Sequence, residues 1–71
     1  MKHKISIMYD DIFKQWVVYT YRMGFSGEFL KVNVKHFKTE EEAIRFAQAK
    51  KKKYHCPISV YTKFGTLKST I

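Results

Sequence analysis

The sequence predicts a small two-layer α+β domain, in which one helix packs on one face of an antiparallel sheet. Stretches of alternating apolar and polar residues indicate strands, and they lie on both sides of a single stretch with helical periodicity. The 71 residues suffice for one domain over residues 1–71, with a core in a single contact between two layers. The predicted order is β-β-β-α-β, and the second face of the sheet is left to solvent.

Three strands are predicted before the helix. Residues 4–8 alternate around Ile5 and Ile7, and the acidic residues that follow favour a turn. Residues 15–22 are dense in aromatic and β-branched side chains and lead into a turn rich in glycine. Residues 28–37 alternate apolar with basic or polar side chains, which is typical of an antiparallel strand with one buried face.

The helix is predicted to begin at Glu40. Thr39 and Glu42 form a capping box: the threonine hydroxyl accepts from the amide of Glu42, whose side chain reaches back to the amide of Thr39. One narrow stripe of side chains recurs at helical spacing and consists of Ala43, Phe46, Ala47, Lys50 and Tyr54. The small alanines allow the helix to lie close to the sheet, with Ile44 at its flank.

A fourth strand is predicted after Pro57, which cannot continue the helix. Residues 58–62 alternate again, and residues 63–65 form a turn. Residues 66–71 form either a short fifth strand at the edge of the sheet or a frayed end.

The charge of the chain favours a polyanionic partner. Fourteen Lys and Arg against six Asp and Glu give a formal charge of +8, and five of the six acids lie at positions 10–11 and 40–42. Nucleic acid is therefore the first candidate partner and an anionic membrane surface the second. The chain has no apolar run of about 20 residues that could cross a membrane, and no secretory leader is expected. Cys56, the single cysteine, fits a reducing, cytoplasmic location.

The lysines at positions 50–53 have two interpretations. They could bind an acidic partner, or they could simply stabilise the end of the helix. Glutamates at a helix N-terminus and lysines at its C-terminus both complement the helix dipole. We favour the helix-end interpretation, with the lysines adding to a general basic field.

The uncovered face of the sheet is the better candidate for a binding site. If Ile5, Ile7, Trp16, Val18 and Thr20 face the helix, with the apolar residues Leu30, Val32 and Val34 of the third strand, polar and aromatic residues occupy the opposite face. The candidate nucleic-acid-binding residues are Lys4, Tyr19, Tyr21, Arg22, Lys31, Asn33 and Lys35, with Arg22 near the rim and Ser6 and Val17 among them on this face.

Each residue type in this set suits nucleic acid. Lysines neutralise phosphates, Asn33 can pair with adenine, and Tyr19 and Tyr21 can stack on bases or bind phosphates. The alternative is that tyrosines are simply good strand formers and that lysines keep an exposed face from aggregating. A shift of one residue, or a bulge in the second strand, would instead bury both tyrosines and expose Trp16 and Val18.

Catalysis and metal binding find little support in the sequence. His3, His36 and His55 lack the spacing of a metal site, and His55 with Cys56 lacks the neighbouring ligands that a zinc or thiolate site would require. The two aspartates at positions 10 and 11 fall in a predicted turn. The chain also has no glycine-rich phosphate loop. We therefore expect a protein that is not an enzyme and that needs no cofactor or metal.

The pattern resembles a known family of DNA-binding domains. The aromatic strand that begins at Trp16, the turn at residues 24–27, the basic third strand and residues 36–43, HFKTEEEA, resemble the arm-type DNA-binding domain of phage and conjugative-transposon tyrosine integrases. The resemblance covers residues 4–54. It implies a three-stranded sheet that enters the major groove and is braced by one helix, as in the plant ethylene-response DNA-binding domain.

The resemblance implies packing and capping roles for Phe37, Thr39 and Ala43. The DNA-contacting positions that it implies are Tyr19, Tyr21, Lys31, Asn33 and Lys35. With residues 58–65 included, the chain also resembles an uncharacterised group of small bacterial and phage domains with the same strand–helix–strand ending. This second resemblance implies no biochemical role.

These observations predict a small, basic, cytoplasmic DNA-binding protein of a phage, plasmid or other mobile element. Duplex DNA is the favoured partner over RNA or single strands. The alternative is a protein-interaction module, such as a phage-encoded inhibitor, that uses the exposed sheet or an edge strand to bind an acidic host protein.

Overall fold

A computed structural model describes residues 2–71 of the chain. It has the predicted α+β architecture, five strands with one helix on the sheet. In chain order the elements are β1 (His3–Asp10), β2 (Gln15–Met23), β3 (Phe29–Phe37), α1 (Glu40–Tyr54), β4 (Ile58–Tyr61) and β5 (Leu67–Thr70). Residues 66–71 therefore contain the short fifth strand.

The first strand lies at the centre of the sheet. The strand order is β3-β2-β1-β4-β5, and β1 pairs with β4 in parallel whereas the other neighbours are antiparallel. The sheet is thus mixed, where the sequence led us to expect antiparallel pairs throughout. The helix explains the parallel pair, because it carries the chain back to the end of the sheet at which β3 began.

The core lies between α1 and the three central strands. Ile5 and Ile7 of β1 are fully buried, as is Ile58 of β4. Ala43 and Ala47 are also at 0% exposure, so the helix contacts the sheet through the two small side chains that its apolar stripe predicted. The larger residues of the stripe and its flank, Ile44, Phe46 and Tyr54, pack around this contact.

Both ends of the helix are fixed by local interactions. Thr39 is the N-cap, as predicted, and its hydroxyl accepts a hydrogen bond of 3.3 Å from the amide of Glu42. At the other end His55 adopts a left-handed conformation, φ 53° and ψ 48°, and its amide donates to the carbonyl of Lys51 at 2.7 Å. This conformation ends the helix before Pro57.

The register confirms the predicted faces of β1 and β2. Ile7 lies opposite Val18 and Ile5 opposite Thr20, and all four side chains are buried beneath the helix. Tyr19 lies opposite Ser6 on the other face of the sheet. The alternative register, which would have buried the tyrosines, is therefore not the one adopted.

The third strand differs from the prediction. Asn33 and Lys35 lie opposite Thr20 and Val18, so they occupy the helix side of the sheet, and Val34, opposite Tyr19, lies on the open side. The reason is a bulge: the register shifts between Thr20 and Tyr21, which leaves one residue of β3 without a partner and reverses the alternation.

Lys31 stays on the open face, as predicted, because it lies on the other side of the bulge, opposite Tyr21. Arg22 occupies the helix side, opposite Leu30, near the end of β2. The prediction that Leu30, Val32 and Val34 are buried is wrong, since each is more than 40% exposed.

The N-cap provides a test of the fold. We expect Thr39→Ala to lower the free energy of unfolding by about 1 kcal/mol, because the amide of Glu42 loses its acceptor. Thr39→Ser keeps the hydroxyl and should change stability much less. Urea denaturation of the three proteins measures the difference; equal stability of the alanine and serine variants would show that the cap contributes nothing.

Candidate nucleic-acid interface

Five side chains form a cluster on the open face of the sheet, and we call it the aromatic–lysine face. Its members are Lys4, Tyr19, Tyr21, Phe29 and Lys31. Antiparallel pairing places them together. On this face Tyr21 of β2 lies between Lys4 of β1 and Lys31 of β3, and Met23 of β2 lies opposite Phe29.

The ammonium groups of this face lie over aromatic rings. The Nζ atom of Lys31 is 4.5 Å from the centre of the Tyr19 ring, and the Nζ atom of Lys4 is 5.6 Å from the ring centres of both Tyr21 and Phe29. The rings of Tyr19 and Tyr21 are 6.3 Å apart. These distances are those of cation–π and ring–ring contacts, so the two residue types alternate within one surface.

The aromatic–lysine face has two buried residues of the sheet beneath it. Ser6 and Val17 point away from the helix, yet they are only 4% and 1% exposed, since neighbouring side chains on the open face cover them. We expected both residues on a solvated face. The aromatic side chains therefore lie over the sheet, with their outer surfaces free to contact a partner.

Carboxylates in the neighbourhood of this face are engaged elsewhere. One carboxylate oxygen of Asp10, at the far end of β1, accepts hydrogen bonds from the amides of Ile12 and Phe13 at 2.9 and 3.3 Å. Glu28, which directly precedes Phe29, accepts a hydrogen bond of 2.8 Å from the hydroxyl of Ser26. The two lysines of the aromatic–lysine face are thus available to an external anion.

The hydroxyl of Tyr21 keeps its proton at neutral pH. Partial burial raises the pKa of Tyr21 above its ordinary value of 10.0, and the negative charges that ionised Tyr19 and Tyr61 would carry add to this shift. A protonated phenol can donate a hydrogen bond to a phosphate oxygen. Tyr21 therefore offers both a ring surface and a donor.

The structure brings together four of the seven predicted binding residues. Lys4, Tyr19, Tyr21 and Lys31 share the aromatic–lysine face, whereas the three others lie on the helix side of the sheet and are exposed there: Arg22, Asn33 and Lys35. Phe29 is a member that the sequence analysis missed. Simple alternation could have found it, because Phe29 precedes Lys31 by two positions and no bulge separates them.

Other groups that could carry chemistry are apart from this face. Burial raises the pKa of the Cys56 thiol, and nearby Lys51 offsets only part of this rise, so the reactive thiolate is disfavoured at neutral pH. Within residues 2–71 no three His, Cys, Asp or Glu side chains are grouped so that they could hold a metal ion. In the same part of the chain no helix has the length and apolar character needed to cross a membrane.

Comparisons with protein-family models, with curated proteins and with solved structures find no match for this chain. The resemblance to the arm-type domains of integrases therefore stays a prediction. The expectation that the protein is not an enzyme stays one as well. The geometry and charge of the sheet are the features of this molecule that bear on its function.

The pKa of Tyr21 provides a test of the environment of this face. Because the folded pKa lies above the unfolded one, the stability that Tyr21 contributes is complete below pH 10.0 and is lost as the pH rises through the folded pKa. We expect Tyr21→Phe to lose less stability than the unmodified protein between about pH 9 and about pH 11. Denaturation at both pH values measures this; equal losses would show that Tyr21 is not shifted.

Proposed function

We propose that the protein binds nucleic acid through the aromatic–lysine face. The observation that carries the proposal is the alternation of three aromatic rings with two ammonium groups, each within 6 Å of a ring, on one exposed surface of a protein with a charge of +8. Nucleic acid presents the matching alternation of flat bases and negatively charged phosphates.

Each group has a role in this proposal. Lys4 and Lys31 neutralise phosphates, and the phenol of Tyr21 donates to a phosphate oxygen. The rings of Tyr19, Tyr21 and Phe29 contact bases or sugars. The basic end of the helix lies outside this surface and contributes long-range attraction.

The form of the nucleic acid has two candidates. Duplex DNA is the partner that the sequence predicts, and the sheet would contact it along a groove. Single-stranded DNA or RNA is the second candidate, and the ring cluster favours it, because stacking needs bases that are free of their partners. Asn33, the residue expected to read adenine, lies on the other side of the sheet, so recognition through this face is tolerant of sequence. A cytoplasmic location and an origin in a phage or other mobile element belong to the same proposal.

The lysines provide the first test. Binding of labelled duplex and single-stranded DNA, followed by fluorescence anisotropy at several salt concentrations, gives the salt dependence of the affinity. We expect Lys4→Gln with Lys31→Gln to reduce the slope of log K against log salt by about 1.4–1.8, which corresponds to two lost phosphate contacts.

A matched control has the same loss of charge elsewhere. Lys51→Gln with Lys52→Gln removes two exposed lysines from the last turn of the helix. This variant should keep most of the slope of the unmodified protein. Equal slopes for the two variants would mean that only the total charge matters and that the face is not the binding site.

The tyrosines provide the second test and separate the two forms of nucleic acid. We expect Tyr19→Ala with Tyr21→Ala to weaken binding to single strands by about 2–6 kcal/mol if both rings stack on bases. Tyr19→Phe with Tyr21→Phe keeps the rings and should retain most of that affinity. Two results together would favour contact through a groove: duplex binding that survives both pairs of changes, and single strands that bind no better than duplex. In that case the rings do not stack on bases.

A further inference from the structure

The outer edge of β3 is an unpaired strand edge. Strand β3 (Phe29–Phe37) has β2 on one side and no neighbour on the other within residues 2–71. It has nine residues, whereas β5 at the opposite edge has four. The outward-facing amides and carbonyls of a strand this long can pair with another extended chain.

β3 exposes three large apolar side chains to solvent. Leu30, Val32 and Val34 are 49%, 47% and 42% exposed, although each is a residue that normally packs in a core. Leu30 lies on the helix side of the sheet, Val34 on the open side and Val32 at the bulge, so exposed apolar side chains occur on both faces of the edge. A strand added beside β3 would cover part of these side chains.

The charge of the edge is uniformly basic. β3 contains Lys31, Lys35 and His36 and no acidic residue, and the β2 residues that pair with it carry none either. The carboxylates nearest to the two ends of β3 in sequence have partners: Glu28 accepts a hydrogen bond of 2.8 Å from the hydroxyl of Ser26, and Glu40 contacts the ammonium group of Lys68 at 3.2 Å. An extended segment with acidic side chains could therefore pair with the free backbone groups of this edge and also match its positive charge.

We propose that β3 binds an extended, acidic segment of another protein, which adds to the sheet as a sixth strand. The added strand would pair mainly with residues 33–37, the longer regular part of β3 beyond the bulge. Backbone hydrogen bonds would supply affinity, and acidic side chains beside Lys35 would supply selectivity. The proposal does not rest on the nucleic-acid-binding function, because the added strand would pair with the backbone of residues 33–37, whereas that function uses the side chains of the aromatic–lysine face.

The same features disfavour a second copy of this chain as the occupant. Two β3 edges in contact would bring their lysines together, in two molecules that each carry a charge of +8. Lysines and bulges on edge strands are a common means of preventing such pairing between copies. They leave the edge open to a strand of opposite charge.

Hydrogen exchange of the β3 amides tests the proposal. The probe is a blocked peptide of the same length as β3 that alternates glutamate with valine. We expect it to slow exchange of the outward-facing β3 amides by about tenfold or more at saturation, because these amides become hydrogen-bonded. Unchanged exchange in β3 would overturn the proposal.

Two control peptides separate backbone pairing from simple charge attraction. A peptide that alternates glutamate with proline keeps the charge but cannot form a ladder of hydrogen bonds, and a peptide that alternates lysine with valine keeps the ladder but reverses the charge. Neither should protect β3. Equal binding of the proline peptide would overturn strand addition, and protection that grows with protein concentration alone would identify a second copy as the occupant.

Charge-reversed variants complete the test. We expect Lys35→Glu to weaken binding of the glutamate–valine peptide by about tenfold, and Lys52→Glu, with the same change in net charge on the exposed helix end, by about twofold or less. Equal effects would overturn the assignment to β3. Tyr19→Ala with Tyr21→Ala should bind the peptide normally, so failure of the nucleic-acid proposal and failure of this one are distinguishable.

Discussion

One helix has to cover a sheet of five strands, and the rest of the structure depends on that mismatch. An α-helix with its side chains is about 10 Å wide, and strands lie about 4.8 Å apart, so the helix covers roughly two or three of them. Ala43 and Ala47 bring it against the centre of the sheet, where β1, β2 and β4 supply the buried residues. The two outer strands receive little cover, and β3 has no fully buried residue.

The position of the helix explains why the aromatic–lysine face and the edge of β3 stay exposed. Side chains of the open face cannot be buried by the helix, so they cover one another, and lysines alternate with aromatic rings there. The acidic residues lie in turns and in the first turn of the helix, where they stabilise local structure. Because the acidic residues are confined to these places, the remaining surface is positively charged.

Much of the fold could be predicted because its signals are local. The N-cap at Thr39 acts over a few residues and predicts where the helix begins, and the alternation around Ile5 and Ile7 predicts a strand with its correct buried face. The parallel pairing of β4 with β1 could not be predicted in this way, since alternation indicates a strand but not its neighbour.

The candidate site was predicted less completely for a related reason. Alternation in β3 indicated that one set of side chains is buried. However, β3 is an edge strand that the helix barely covers, and almost all of its side chains are exposed on both faces. The bulge then moved Asn33 and Lys35 to the other side. A bulge depends on how two strands twist against each other, and nothing in the composition of residues 28–37 marks it.

The central place of β1 also has a consequence for the growing chain. β1 is synthesised before the other strands of this sheet and can pair with β2 on one side at once, but its other side waits for Ile58–Tyr61, more than fifty residues later. Until then β1 is the edge of an incomplete three-stranded meander, and the apolar surface that the helix will cover is open. Contacts over such a distance in sequence form late, so closure of this side by β4 is a late step, and only β5, which pairs with β4, is added after it.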